Sequence, residues 1–259
     1  MLQNRTPVIY VGYDVRDHRA YDVLHASIRR HSTKEYPIVP LLEPVLRRIG
    51  LFRRTHKTYG DNPKQKYDYF DNKPYSTDFT FTRFLIPHLN LHSGLALFID
   101  ADMFVRSDIR EIFEVYGRNK EYAVQVVKHN YKPKEGSTKL DGVVQTRYNR
   151  KNWSSFMLWN CDHEKNRALT VDDVNLRSGS WLHGFGWLDD DEIGGIHEEW
   201  NWLDGHSPAT TEAKNVHFTT GGPWFGDDWQ PKRKIDEVYA AEWMDAEEEQ
   251  TRNLLMENL

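Results

Sequence analysis

An apolar run, Leu95-Ala96-Leu97-Phe98-Ile99, ends in Asp100-Ala101-Asp102 and resumes as Met103-Phe104-Val105. Such a run predicts a buried strand. Side chains two residues apart on a strand share a face, so both carboxylates point the same way. Paired charges at a buried strand end are costly unless a cation neutralises them. A divalent metal bridging to a phosphate meets that need, because hard cations take oxygen ligands and keep positions for substrate oxygens. The plainer reading is a solvated strand end, since Asp-x-Asp alone is common. Partner residues elsewhere must decide.

Other candidates carry weaker signals. Asp189-Asp190-Asp191-Glu192 is an acidic run that suits sugar hydroxyls or equally a solvated helix cap. His183 precedes Gly184 near Trp187, and glycine permits close ligand approach. Lys139-Leu140-Asp141-Gly142 and Arg150-Lys151-Asn152-Trp153 bracket a polar loop that could close over a diphosphate or form a surface hairpin. His197-Glu198-Glu199-Trp200-Asn201 is not His-Glu-x-x-His, so a zinc protease is excluded. Lys134 to Lys139 lacks the Gly-Lys-Ser/Thr order of a Walker loop, and there is no Gly-x-Ser-x-Gly elbow.

Composition narrows the class. A chain of 259 residues can bury one large core. Its net charge of −5 argues against a dedicated nucleic-acid binder. No run approaches the roughly 18 apolar residues of a membrane span. The apolar stretch in the opening MLQNRTPVIYVGYD is too short for a signal peptide. The single cysteine, Cys161, allows no intrachain disulfide or cysteine-type zinc site and fits a reducing cytosol. All nine Trp lie at or after Trp153, where they could fill a core or stack on sugar rings.

The elements that must position these residues can be read from periodicity. Pro7 to Gly12 and Pro37 to Leu42 read as strands around a helix over 17–31, which predicts a parallel α/β unit. Residues 43–75 read as a long, irregular and mobile connection of the kind that serves as a lid. Thr77 to Leu89 reads as a helix capped by Ser76 or Thr77 and leading into the Asp-x-Asp strand. A short helix over 108–116, strands over 123–127 and 155–160, a loop over 128–146, a small helix over 169–175 and a strand over 216–218 follow. The stretch from Lys234 to Leu259 is acidic and helix-prone.

Four stretches in a fixed order carry a family likeness: VIYVGYD at 8–14, STDFTFTRFLIPHL at 76–89 with LFIDADMFV at 97–105, NWSSFMLWNC at 152–161, and VHFTTGGPW at 216–224. Together they resemble the GT-A glycosyltransferases, in particular the glycogenin and lipopolysaccharide galactosyltransferase group of retaining enzymes. The resemblance implies one Rossmann-like α/β domain over 1–230, with a mostly parallel central sheet, and a helical appendage over 231–259. It implies Mn²⁺ or Mg²⁺ on Asp100, Asp102 and His217, and a UDP-sugar donor. The nucleotide and sugar would lie along Val11, Tyr13, Asp14, Arg83, Asp100, Ala101, Asn160 and the Gly221-Gly222-Pro223-Trp224 turn. Arg83 would also serve catalysis, since a guanidinium fork suits phosphate and hydroxyl groups. The family's lysine before Pro-Trp is missing here, so glycine N–H groups, Lys139 or Lys151 would replace it. The family's Asp-Gln pair near the anomeric carbon has no clear counterpart. The region over 182–195 offers His183, Asp190 and Asp191 for that catalytic role. The acceptor would be a glycan or another hydroxyl compound. A passive nucleotide-sugar binder on the same scaffold stays open. A nucleotidyltransferase is disfavoured, because Val11-Gly12-Tyr13-Asp14 is not a Gly-rich basic loop.

Overall fold

The structure is a computed structural model and describes residues 5–59, 65–129, 150 and 153–257. The strands are β1 Val8–Gly12, β2 Ile38–Leu41, β3 His56–Lys57, β4 Lys66–Asp68, β5 Pro74–Tyr75, β6 Leu95–Ile99, β7 Met103–Val105, β8 Val124–Val126, β9 Phe156–Asn160, β10 Ile193–Gly195, β11 Trp202–Leu203 and β12 Asn215–His217. The helices are α1 His18–His31, α2 Glu43–Arg48, α3 Ile86–Leu89, α4 Arg110–Val115, α5 Glu164–Ala168, α6 Val171–Leu176, α7 Gly179–His183 and α8 Lys234–Glu257.

The main sheet has the order β10-β8-β9-β6-β1-β2. It is mostly parallel: β1 runs parallel to β2 and β6, and β10 parallel to β8, while β9 runs antiparallel to both neighbours. Alternate side chains feed two cores. Tyr10, Ala96, Phe98, Met157 and Trp159 pack on one face, and Ile9, Val11, Leu97, Ile99 and Leu158 on the other. Burial on both faces explains why these strands read as near-continuous apolar runs. This α/β architecture is the one the sequence predicts.

The chain runs from β1 out to β2 and then returns to place β6 on the other side of β1. Loops leaving adjacent parallel strands in opposite directions open a crevice at their carboxyl ends. Gly12-Tyr13-Asp14 and Asp100-Ala101-Asp102 are the residues at that switch point. A second sheet, β11-β12-β7, adjoins it. After Asp102 the chain enters β7, where Met103 pairs with His217 of β12. The inner face of α8 buries Tyr239, Trp243 and Ala246 against Trp202, Val216, Phe218 and Trp224.

Two expected elements differ. Residues 43–75 are not one irregular connection. They include α2 and a small antiparallel sheet, β3-β4-β5, docked on α7. A buried ion pair between Arg54 and Asp68 anchors it, and strands of two or three residues are too short for an alternation to register in the sequence. Residues 77–89 form turns, a 3-10 turn over Thr82–Leu85 and the short α3, not one helix. Phe79, Phe81, Phe84 and Leu85 are all buried, so the segment needs partners on several sides instead of one stripe. Thr77 caps no helix; its hydroxyl meets Thr80 Oγ1 at 2.9 Å.

Candidate active site

The carboxyl end of β6 delivers Asp100, and the link to β7 delivers Asp102. The pairing of β7 with β12 then sets His217 beside them: Phe218 N–H donates to Asp102 O at 2.9 Å, and His217 Nε2 lies 3.3 Å from Asp102 Oδ1. One ligand atom from each of Asp100, Asp102 and His217 falls within 4.8 Å of the others. Two carboxylates and an imidazole suit Mn²⁺, and also Mg²⁺ with water completing the shell.

The surrounding shell fits that use. His217 Nδ1 lies 2.9 Å from Asn201 Oδ1. An amide oxygen accepts only, so the Nδ1 proton sits there, and in the neutral ring the Nε2 lone pair then faces the carboxylates. Asn201 Nδ2 donates in turn to Ser155 Oγ at 2.9 Å, and the Ser155 carbonyl accepts from Asp100 N–H at 3.0 Å. Such partners orient a ligating histidine. Asn201 is fully buried. In the sequence it stands only within His197-Glu198-Glu199-Trp200-Asn201, with no motif of its own. His129, at the carboxyl end of β8, carries no sequence signal either; its imidazole is pushed down to about 3 by burial and by His217 nearby.

Arg83 is 5 % exposed and reaches the cluster, with Nη1 2.9 Å from Asp100 Oδ1 and 2.7 Å from the Ser154 carbonyl. Its guanidinium lies over the Phe98 ring at 4.6 Å. Asp14 is buried at the end of β1 and accepts from Arg16 and from Asp78 N–H. Burial alone would raise its carboxyl, but these donors hold it below the usual range. Tyr13 OH meets His18 Nδ1 at 3.2 Å. Val11 and Ala101 are wholly buried in the core, so only their backbone is available to a ligand. Gly12 is required by packing, since a Cβ there would lie 2.4 Å from Phe79. At Gly222 a Cβ would lie 2.2 Å from the Trp224 ring, and Gly221 holds φ +118°. Trp224 itself is a core residue, packed on Phe218 and Trp243, with its Nε1–H donating to Asp17.

Three assigned residues are not brought to this cluster. Asn160 pairs with Leu95 at the start of β6, five residues and therefore roughly 17 Å from Asp100. It donates to Lys120 O. Asp190 and Asp191 precede β10, which runs in the same direction as β6, so they stand at the amino end of the sheet. Asp190 is 90 % exposed, paired with Arg150, and Asp191 is exposed. The run caps a 3-10 turn, in which Asp189 N–H donates to Glu192. His183 does approach the site, 2.8 Å from Ser154 Oγ. Lys139 and Lys151 lie outside the described residues.

The fold is that of the GT-A glycosyltransferases. Solved structures with this fold include the WbbM bifunctional glycosyltransferase, with a TM-score of 0.57 and 16% identity over 86% of this chain. GlyE of Streptococcus pneumoniae scores 0.54 at 15% identity over 96% of this chain. The galactosyltransferase LgtC, solved with donor and acceptor sugar analogs, scores 0.51 at 10% identity over 93%. This chain spans 48% of WbbM and 64% of GlyE, but 95% of LgtC. No protein-family model matches the chain. It is 42% identical over 246 residues to Protein CDI of Arabidopsis thaliana, covering 93% of this chain and 86% of that protein. The chain belongs to the family of Protein CDI.

Proposed function

We propose that the protein is a metal-dependent glycosyltransferase that moves a sugar from a nucleoside-diphosphate donor, a UDP-sugar, to a hydroxyl-bearing acceptor with retained configuration. The observation that carries this reading is the Asp100, Asp102 and His217 cluster at the switch point of a GT-A fold. A bound Mn²⁺ or Mg²⁺ would act there as a Lewis acid toward the departing diphosphate. Asp100 and Asp102 would hold the ion, and Asn201 keeps His217 in the tautomer that joins them. Arg83 fixes positive charge beside Asp100, where negative charge grows as the sugar leaves. The carboxyl ends of β1 and β6 orient the nucleotide. With Asp190 and Asp191 in solvent, the leaving phosphate would itself take the acceptor proton.

A passive nucleotide-sugar binder is the second reading, and the exposure of Asp190 and Asp191 is the observation on its side. Incubation with a panel of UDP- and GDP-sugars plus Mn²⁺, read by mass spectrometry, separates the two. An enzyme releases free nucleoside diphosphate from at least one donor, and Asp102→Ala abolishes the release. Binding without release in every case, with acceptor glycans supplied, favours the binder.

A further inference from the structure

The small β3-β4-β5 sheet grips the first turn of α7. Asp68 Oδ2 accepts from Gly179 N–H at 2.8 Å, and Asp71 Oδ2 accepts from Ser180 N–H at 2.8 Å and from Ser180 Oγ at 2.6 Å. Lys73 Nζ donates to the same Ser180 hydroxyl at 2.7 Å. Behind these contacts, Arg54 is 2 % exposed and pairs with Asp68. Burial works against the Asp71 charge, but the Ser180 and Lys73 donors hold its carboxyl below the usual range.

The last residue of α7 is His183. Its ring meets Phe84 edge-on at 5.1 Å, and its Nδ1 shares a hydrogen bond with Ser154 Oγ at 2.8 Å. The Ser154 carbonyl accepts from Arg83 Nη1 at 2.7 Å, and that same nitrogen lies 2.9 Å from Asp100 Oδ1. One guanidinium nitrogen is therefore shared between a backbone carbonyl and the cluster carboxylate. Moving Ser154 would re-aim it.

We propose that His183 is a positioning residue: through Ser154 it holds Arg83 on Asp100, and the β3-β4-β5 sheet is the anchor that fixes α7, and with it His183, for this purpose. This inference rests on the reading of Asp100 as part of a metal–diphosphate site. Partners behind a metal site are worth about 10- to 100-fold in affinity or activity.

The test compares His183→Phe, which keeps the ring packing and removes the hydrogen bond, with His183→Asn, which keeps a group able to bond Ser154. Calorimetry of UDP with Mn²⁺ should show about 10- to 100-fold weaker binding in His183→Phe and near-native binding in His183→Asn, with similar melting temperatures. Asp71→Asn, which loosens the grip on Ser180, should weaken binding by about 10-fold and carries the test if the His183 variants do not fold. Asp102→Ala is the control that separates the two levels. If it loses binding while His183→Phe, or Asp71→Asn in its place, binds as the native protein does, the positioning role is overturned and the metal site stands. If Asp102→Ala itself binds normally, the site reading fails and this inference with it.

Discussion

The two ends of the main sheet carry similar side chains put to different uses. At the carboxyl end, Asp100, Asp102, His217 and Asn201 converge with Arg83 into a mostly buried cluster whose ligand atoms face one another. At the amino end, Asn160, Asp162, Asn166 and the 189–192 run are spread over separate structural tasks. Asp162 accepts from Gly94 N–H, Asn166 donates to the Ala123 and Asn160 carbonyls, and Glu192 pairs with Lys165. Polar side chains at the amino end close the backbone; those at the carboxyl end bring three ligand atoms within 4.8 Å of one another. Residue type does not separate the two groups, whereas strand direction does.

The largest expected difference is between carboxylates. Asp102→Ala should weaken Mn²⁺-dependent UDP binding by more than about 100-fold, since it removes one of three clustered donors. Asp191→Ala should change binding less than about twofold, because a surface substitution away from such a network costs little. Calorimetry on both variants checks this. A large loss in Asp191→Ala would place the chemistry at the wrong end of the sheet.

The asparagines sharpen the comparison. Asn201→Ala should cost about 10- to 100-fold in metal affinity, by freeing the His217 ring from its tautomer. Asn160→Ala should leave metal affinity unchanged and cost about 1 kcal/mol of stability, the net worth of its bond to Lys120 O. Metal titration and urea unfolding of each variant would show the effects exchanged between the two properties. Equal effects on both would contradict the assignment.

A further contrast lies behind the cluster. Asp204 N–H donates to the His217 carbonyl, and its carboxyl is pushed up to about 7 by burial and by Asp236 beside it. The ordinary value is 3.8, so the folded state holds the proton more tightly. The resulting stability is complete below about pH 4 and is lost as pH rises through about 7. Melting temperature should fall between about pH 4 and 7 in the native protein and be flatter in Asp204→Asn.

Much of the fold was legible in the chain because burial on both faces writes a strand as an apolar run, as at 95–99 and 156–160. The Asp-x-Asp site was legible for the same reason, since its carboxylates interrupt such a run. His217 was found through the ordered family motifs, not from periodicity. The 43–75 segment was misread because β3 and β5 are two residues long, too short for an alternation to register. Asn160 and the 189–191 run were placed by residue type and chain order. Neither reveals that β9 runs against β6, which carries the end of one away from the end of the other. Asn201 left no local mark, because its role arises only when the stretch before β11 meets β12.

The central claim is that Asp100, Asp102 and His217 hold a divalent cation under a nucleoside diphosphate. Crystals grown with Mn²⁺ and UDP, measured at the manganese absorption edge, test it most directly. The account predicts an anomalous peak within bonding distance of one oxygen from each aspartate and of His217 Nε2, with the diphosphate oxygens on its open side. A peak elsewhere, or UDP bound with no manganese between these three side chains, would contradict it.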